Sequence, residues 1–144
     1  MLTRDAILRH IPHQGASCLL DAATRWDETS LEATTRLHND PANPYRVADH
    51  LPPITGIEMA MQAAALHGAL TAHETRQGWL TSVRDVLIHC DRLDNPAWDS
   101  LTIIVTRKHQ AHSGMIYDFT LTAPSARLLL GGTGTVMLPT DKPS

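Results

Sequence analysis

From Asp49 to Leu70 the chain is almost uncharged. A proline-rich entry, His50-Leu51-Pro52-Pro53, leads through Thr55-Gly56-Ile57-Glu58 into Met59-Ala60-Met61-Gln62-Ala63-Ala64-Ala65-Leu66-His67-Gly68-Ala69-Leu70. Glu58 is the only acid between Asp49 and Glu74. A helix that is apolar nearly all round is normally buried. The rest of the fold must therefore be a layer that covers such a helix, and an acid in its first turn either caps it or does chemistry.

At 144 residues the chain is expected to form one domain over 1–144, long enough to bury most of the surface its unfolded form exposes. A hydrophobic fraction of 42% argues against disorder. The apolar stretches are too short, or too interrupted by Gln62 and His67, to span a bilayer. No basic region followed by an apolar run and a cleavage site opens the chain, so the expectation is a soluble protein of the cytoplasm. The net charge of −3 and the pI near 6.3 give no general attraction for nucleic acid or anionic membrane, and neither is expected as a partner. Two cysteines without a CxxC spacing, Cys18 and Cys90, fit reduced thiols.

The pattern along the chain predicts a short helix over Asp5 to His10, capped by Thr3 and stopped at Pro12. Cys18-Leu19-Leu20 is expected to open a strand, and Leu31 to Leu37 alternates as a half-buried strand does. Four prolines make Asn39 to Pro53 a loop. The long helix then starts at Thr55 and ends between Ala72 and Gln77, with Gly78 as its terminator. Beyond it the period changes to two. Leu80 to Ile88, Leu101 to Thr106, Tyr117 to Thr122 and Leu128 to Leu138 read as strands, with a hairpin turn at Ser113-Gly114. The glycines Gly131, Gly132 and Gly134 suggest a bulge or a close backbone approach. The result is an α+β domain in which a curved antiparallel sheet wraps one long central helix.

These residues resemble the β-hydroxyacyl-acyl carrier protein dehydratases of the FabZ and FabA type. Ile7-Leu8-Arg9-His10-Ile11-Pro12-His13 followed by Leu19-Leu20-Asp21 is similar to that family's opening "I-L-x-x-L-P-H-R … L-L-V-D". His50-Leu51-Pro52 resembles its "G-H-F-P" loop, and Gly56, Glu58 and Gln62 resemble "P-G-V … E-A-M-A-Q". Within that superfamily, Gly56-Ile57-Glu58 through Gln62-Ala63 and Ser82-Val83-Arg84-Asp85-Val86 look closer to the dehydratases of aryl polyene clusters, the ApeP-like group. The resemblance covers nearly the whole chain and implies the hotdog fold. It implies dehydration of 3-hydroxyacyl thioesters to trans-2-enoyl thioesters in fatty acid or aryl-polyene-type biosynthesis. Acyl carrier protein is then a partner and supplies the phosphopantetheine arm, so no metal or dissociable cofactor is required. The site would be shared in a homodimer or in a heterodimer with another hotdog subunit. Two departures stand out: only seven residues separate His50 from Glu58, where FabZ enzymes have a longer loop, and Thr55 precedes Gly56 where they have proline.

Dehydration removes a weakly acidic α-proton and protonates a poor leaving group, so it needs a base, an acid and a polarised carbonyl. The resemblance assigns Glu58 as acid. His50, just before the helix, is the best-placed base by position, with His38 the alternative. Unpaired N–H groups at the helix start, at Gly56 and Ile57, would hold the thioester oxygen. Gln62 lies at i+4 from Glu58 and on its face, where its amide can orient the acid or a water, or bond a neighbouring strand. The competing reading of Glu58 is a capping box with Thr55, and bonds of that kind would lower its pKa and weaken it as an acid. His67 is nine residues on, which at about 100° per residue puts it on the opposite face. His10 and His13 flank Pro12 and are read as bonding backbone at the end of the first helix. His109 and His112 beside a turn lack a third ligand, and no metal site is expected. Tyr45 and Arg46 are read as loop residues at a tunnel mouth or on the surface. Two other readings stand beside the dehydratase: a non-catalytic hotdog subunit that pairs with an active one, and an acyl thioesterase on the same fold.

Overall fold

The computed structural model describes residues 1–140; residues 141–144, the end of the expected 1–144 domain, lie outside the described residues. In chain order the elements are β1 (Leu2–Thr3), α1 (Arg4–Leu8), β2 (Ala22–Trp26), β3 (Ser30–Thr35), α2 (Thr55–Thr71), β4 (Trp79–Ile88), β5 (Leu101–Ala111), β6 (Gly114–Ala123) and β7 (Arg127–Met137). They form one seven-stranded sheet in the order β1-β2-β3-β5-β6-β7-β4, with every neighbouring pair antiparallel. α2 packs against β3, β5 and β6. This is the hotdog arrangement, a sheet wrapped on one long helix.

Alternation and length placed the strands. In β3 the buried residues are Leu31, Ala33 and Thr35, and the same alternation in β5 buries Leu101, Ile103 and Val105. These side chains meet Met59, Ala60, Ala63 and Leu66 of α2 in one core. Ten of the seventeen residues of α2 are buried, including Gln62 and His67, as expected for a segment with almost no polar face.

Four local expectations change. Cys18-Leu19-Leu20 is buried but forms no strand, because the Leu19 N–H is taken by the Gln62 side chain at 2.7 Å and is withdrawn from any ladder. The long helix stops at Thr71, before Gly78: His73 takes a positive φ of 51°, and the N–H groups of Ala72 and Glu74 both donate to the Gly68 carbonyl. Gly78 serves packing instead, since a Cβ there would sit 2.9 Å from the Met137 carbonyl oxygen. The capping box does not form. Ile54 occupies the N-cap without a side-chain bond, and Glu58 turns to other partners.

The hairpin between β5 and β6 turns at Ser113-Gly114 as expected, and Gly114 is required there by close approach. A Cβ on it would run into the Val136 carbonyl oxygen and lie 3.3 Å from the Met137 Cα, both backbone atoms that cannot swing aside. Gly114→Ala should lower stability by about 1–3 kcal/mol through overpacking, read as a lower midpoint in urea unfolding with an unchanged slope.

Candidate functional site

The start of α2 brings three polar side chains together. Glu58 Oε1 lies 3.0 Å from His13 Nε2 and 3.4 Å from Gln62 Nε2. Gln62 is fully buried and spans the gap to the chain after α1, accepting from Leu19 N–H at 2.7 Å and donating to the Ser17 carbonyl at 2.9 Å. That chain is held in place from both ends. The Arg4 guanidinium donates to the carbonyls of Gly15, Cys18 and Leu20, and the Gln14 amide donates to those of Leu8 and Ile11. His13 is thereby fixed between two anchored stretches with its Nε2–H toward Glu58, while its Nδ1 is buried without a hydrogen-bond partner among the described residues.

The His13 contact is the main cause that holds the Glu58 carboxyl below its usual range; burial works the other way, and the Gln62 amide adds to the lowering. Burial first, and the Glu58 carboxylate second, push the Tyr45 phenol up. Beside the pair lies a cavity of about 420 Å³, lined by Glu58 and His13, by Met61, Ala64 and Ala65 on one face of α2, by Met115 and Tyr117, and by the polar side chains of Arg9, His10, Glu74, Arg76 and Gln77. Gly134 on β7 gives Met61 its room, as a Cβ there would fall 2.9 Å from the Met61 methyl. A cleft with apolar walls and several polar groups suits a ligand that has an apolar body and a polar reacting group.

The residues expected from sequence are placed as follows. Glu58 and Gln62 meet. No hydrogen bond or ion pair joins His50 to Glu58 among the described residues; the His50 ring is half-exposed, with Nδ1 3.8 Å from the Asp49 carboxylate. The amides of Gly56 and Ile57 are already committed, donating to the carbonyls of Pro53 and Ile54 at 2.9 and 3.0 Å, so the expectation that they stand unpaired does not hold in this chain. Gly56 is there for packing: a Cβ would meet side-chain methyls of Leu130 at 2.6 Å and Leu121 at 2.8 Å. His38 is fully buried and donates from Nε2 to the Trp98 carbonyl at 2.6 Å, and burial pushes its pKa down. His67 faces away from Glu58, as helical geometry requires, with Nε2 on the Asp27 carbonyl and Nδ1 accepting from the Tyr117 hydroxyl. Burial pushes that phenol up to about 12.

His13 is the residue that sequence reasoning passed over, and its reading as a backbone-bonding histidine is corrected by its contact with the carboxylate. The opening Pro12-His13 motif carried the signal. Nothing in the spacing of positions 13 and 58 ties them together, since the contact exists only once the chain after α1 is laid across α2.

With seven antiparallel strands around a buried helix and an acid at its first turn, the molecule is a hotdog-fold protein. The chain belongs to the ApeP-like family, whose model, described as ApeP dehydratase, matches residues 6–144, and its function is accordingly of the dehydratase type. No curated protein sequence matches it. Among solved structures it is similar to the dehydratase heterocomplex ApeI:P from Xenorhabdus doucetiae, at 19% identity and a TM-score of 0.79, over 94% of this chain and 91% of that one. A thioesterase from Haemophilus influenzae matches at 13% identity and a TM-score of 0.67, over 97% of this chain and 92% of that one. A hypothetical thioesterase solved with coenzyme A from Streptococcus pneumoniae TIGR4 matches at 16% and 0.60, over 85% and 88%.

Removing His13 takes away the largest influence that lowers Glu58 and leaves burial, which raises it. His13→Ala should therefore raise the Glu58 pKa, measured by carboxyl-carbon NMR titration. Because the carboxyl is depressed in the folded protein, its contribution to stability is present above its unfolded pKa, about 4.3, and is lost as pH falls through the folded value. His13→Ala should flatten that part of the stability–pH curve. Gln62→Leu would leave the buried Leu19 N–H unpaired and take the donor from the part-buried Ser17 carbonyl, costing about 1–3 kcal/mol by thermal or urea unfolding.

Proposed function

We propose that this chain is a subunit of a hotdog dehydratase that converts 3-hydroxyacyl chains, carried on acyl carrier protein, to trans-2-enoyl thioesters. The observation that carries the reading is the Glu58–His13–Gln62 cluster, whose Glu58 and His13 line a cavity with apolar walls along α2. The acyl chain lies along α2 with its β-carbon beside Glu58. His50 takes the α-proton, the C–H electron pair forms the new double bond, and the β-carbon–oxygen bond breaks. Its electron pair stays on the hydroxyl oxygen, which takes a proton from Glu58 and leaves as water. The Glu58 carboxyl sits in bonds that favour its ionised form, which taken alone would make it a poor acid. In this role Glu58 takes up a proton from water before each turnover, and His13 keeps the carboxyl oriented through its contact with Oε1.

His50 reaches the substrate from a second hotdog chain in this reading, consistent with the absence of a His50–Glu58 bond among the described residues. A partner chain also suits the edge strand β4. It is ten residues long and ends the sheet, and Trp79, Leu87 and Ile88 on it are each more than half exposed. Long apolar edges are ordinarily covered or blunted. The similar structure from Xenorhabdus doucetiae is of a heterocomplex, which supports pairing with a related hotdog chain.

One observation favours a second reading, a subunit that shapes the tunnel of an active partner without doing chemistry: the carboxylate that should donate a proton is already bonded twice within its own chain.

Turnover of 3-hydroxyacyl-acyl carrier protein, alone and with a co-purifying hotdog chain, separates the readings. Glu58→Gln should lower kcat by 10²–10⁴-fold, the range typical of a lost general acid. Unchanged turnover of the assembled complex in Glu58→Gln and His50→Ala would select the non-catalytic subunit. Release of free thiol from an acyl thioester without enoyl product would select a thioesterase.

A further inference from the structure

Asp94 is a buried carboxylate that the proposed chemistry leaves unused. Its side chain is 5% exposed, and it accepts two bonds from Arg92, from Nε and Nη2 at 2.9 Å each, and one from Arg46 Nη1 at 3.2 Å. Burying a carboxylate is costly unless it is paired and hydrogen-bonded, and two guanidiniums on one acid is more than a surface loop needs. The Arg92 contact holds the Asp94 carboxyl well below the usual carboxylate range, so it stays charged.

Both arginines then reach one atom on the far side. Arg46 Nη2 donates to the Asp49 carbonyl at 2.6 Å, and Arg92 Nη2 approaches the same oxygen at 3.4 Å. The next residue is His50. Its own backbone is bonded on both sides, with its N–H on the Val47 carbonyl at 3.2 Å and its carbonyl accepting from Val47 N–H at 2.8 Å, and Leu93 N–H donates to the Leu51 carbonyl at 2.9 Å. Asp49 and Leu51, on either side of His50, are thus tied to the segment 92–94, and His50 itself is closed on Val47, while its ring stays partly exposed beside the exposed Asp49 side chain.

We propose that Asp94 is a positioning residue for His50. Through Arg46 and Arg92 it fixes the backbone that carries the ring, so that the base is delivered at a set height above the substrate. The proposal rests on the reading of His50 as the base. A rigid frame matters because a misplacement of about 1 Å can cost about 10²-fold in rate. Arginine suits the task better than lysine, since its planar fork carries several N–H donors in fixed directions and can hold a carboxylate and a carbonyl at once.

The test uses the full chain, with its partner hotdog chain where turnover needs one, and ¹⁵N-histidine-labelled protein in which His50→Gln assigns the His50 ring signals. Asp94→Asn should shift and broaden the His50 signals while those of buried His67, whose partners are Tyr117 and the Asp27 carbonyl, stay unchanged. It should lower kcat by about 10²-fold with KM within about twofold, Asp94→Glu should recover part of the loss, and the double variant Asp94→Asn/His50→Gln should be no slower than His50→Gln. A folded Asp94→Asn protein with wild-type His50 signals and turnover, beside an inactive His50→Gln, overturns the role of Asp94 alone. Wild-type turnover in His50→Gln overturns His50 as base, and the role of Asp94 falls with it. A loss that appears equally in all histidine signals or only in KM marks Asp94 as a general stabiliser and also overturns the proposal.

Discussion

The molecule depends on the burial of α2. A helix with almost no polar face cannot sit on a surface, so the sheet must wrap it, and seven antiparallel strands in one layer are the means. The small residues Ala60, Ala63 and Ala64 let the helix lie close against strands β3, β5 and β6. Once it is buried, each polar side chain on it needs a partner, and that need organises the rest of the interior. Gln62 satisfies itself on the Leu19 amide and the Ser17 carbonyl, His67 on Tyr117 and the Asp27 carbonyl. These bonds are what draw otherwise irregular chain into fixed positions around the helix.

Glu58 differs from those residues because it sits at the end of the helix where cover is incomplete. Its partners, His13 and Gln62, favour its charged form, and Glu58 and His13 both line the cavity. The two histidines near the start of α2 are held in different ways. His13 comes from the anchored stretch after α1 and touches the carboxylate directly. His50 comes from the entry loop, whose backbone is tied to Asp94 through arginines while the ring stays free of strong partners. The division places one histidine as companion to the acid and leaves the other available for a group outside the chain.

Element types were legible in sequence because they rest on periodicity. Period two located β3 to β7, and the uncharged run located α2 to within a few residues. Where the reading missed, a distant partner or an unforeseen backbone turn had overridden a local preference. The Leu19 amide left the sheet for Gln62, while His73 at positive φ closed the helix locally, ahead of Gly78. Thr55 and Glu58 have the spacing of a capping box, yet the carboxylate is better served by a histidine from 45 residues earlier in the chain.

Sequence by itself determined that one nearly uncharged helix must be buried by a sheet, that an acid stands at its first turn, and that the chain resembles hotdog dehydratases. Those facts follow from residue types at short spacing, which is where backbone geometry acts. Tertiary structure alone decided which histidine touches Glu58, that the amides at Gly56 and Ile57 are already bonded, and that Asp94 holds the loop of His50. Each of these joins segments far apart in the chain, or depends on where a carbonyl points, and neither is encoded in local pattern.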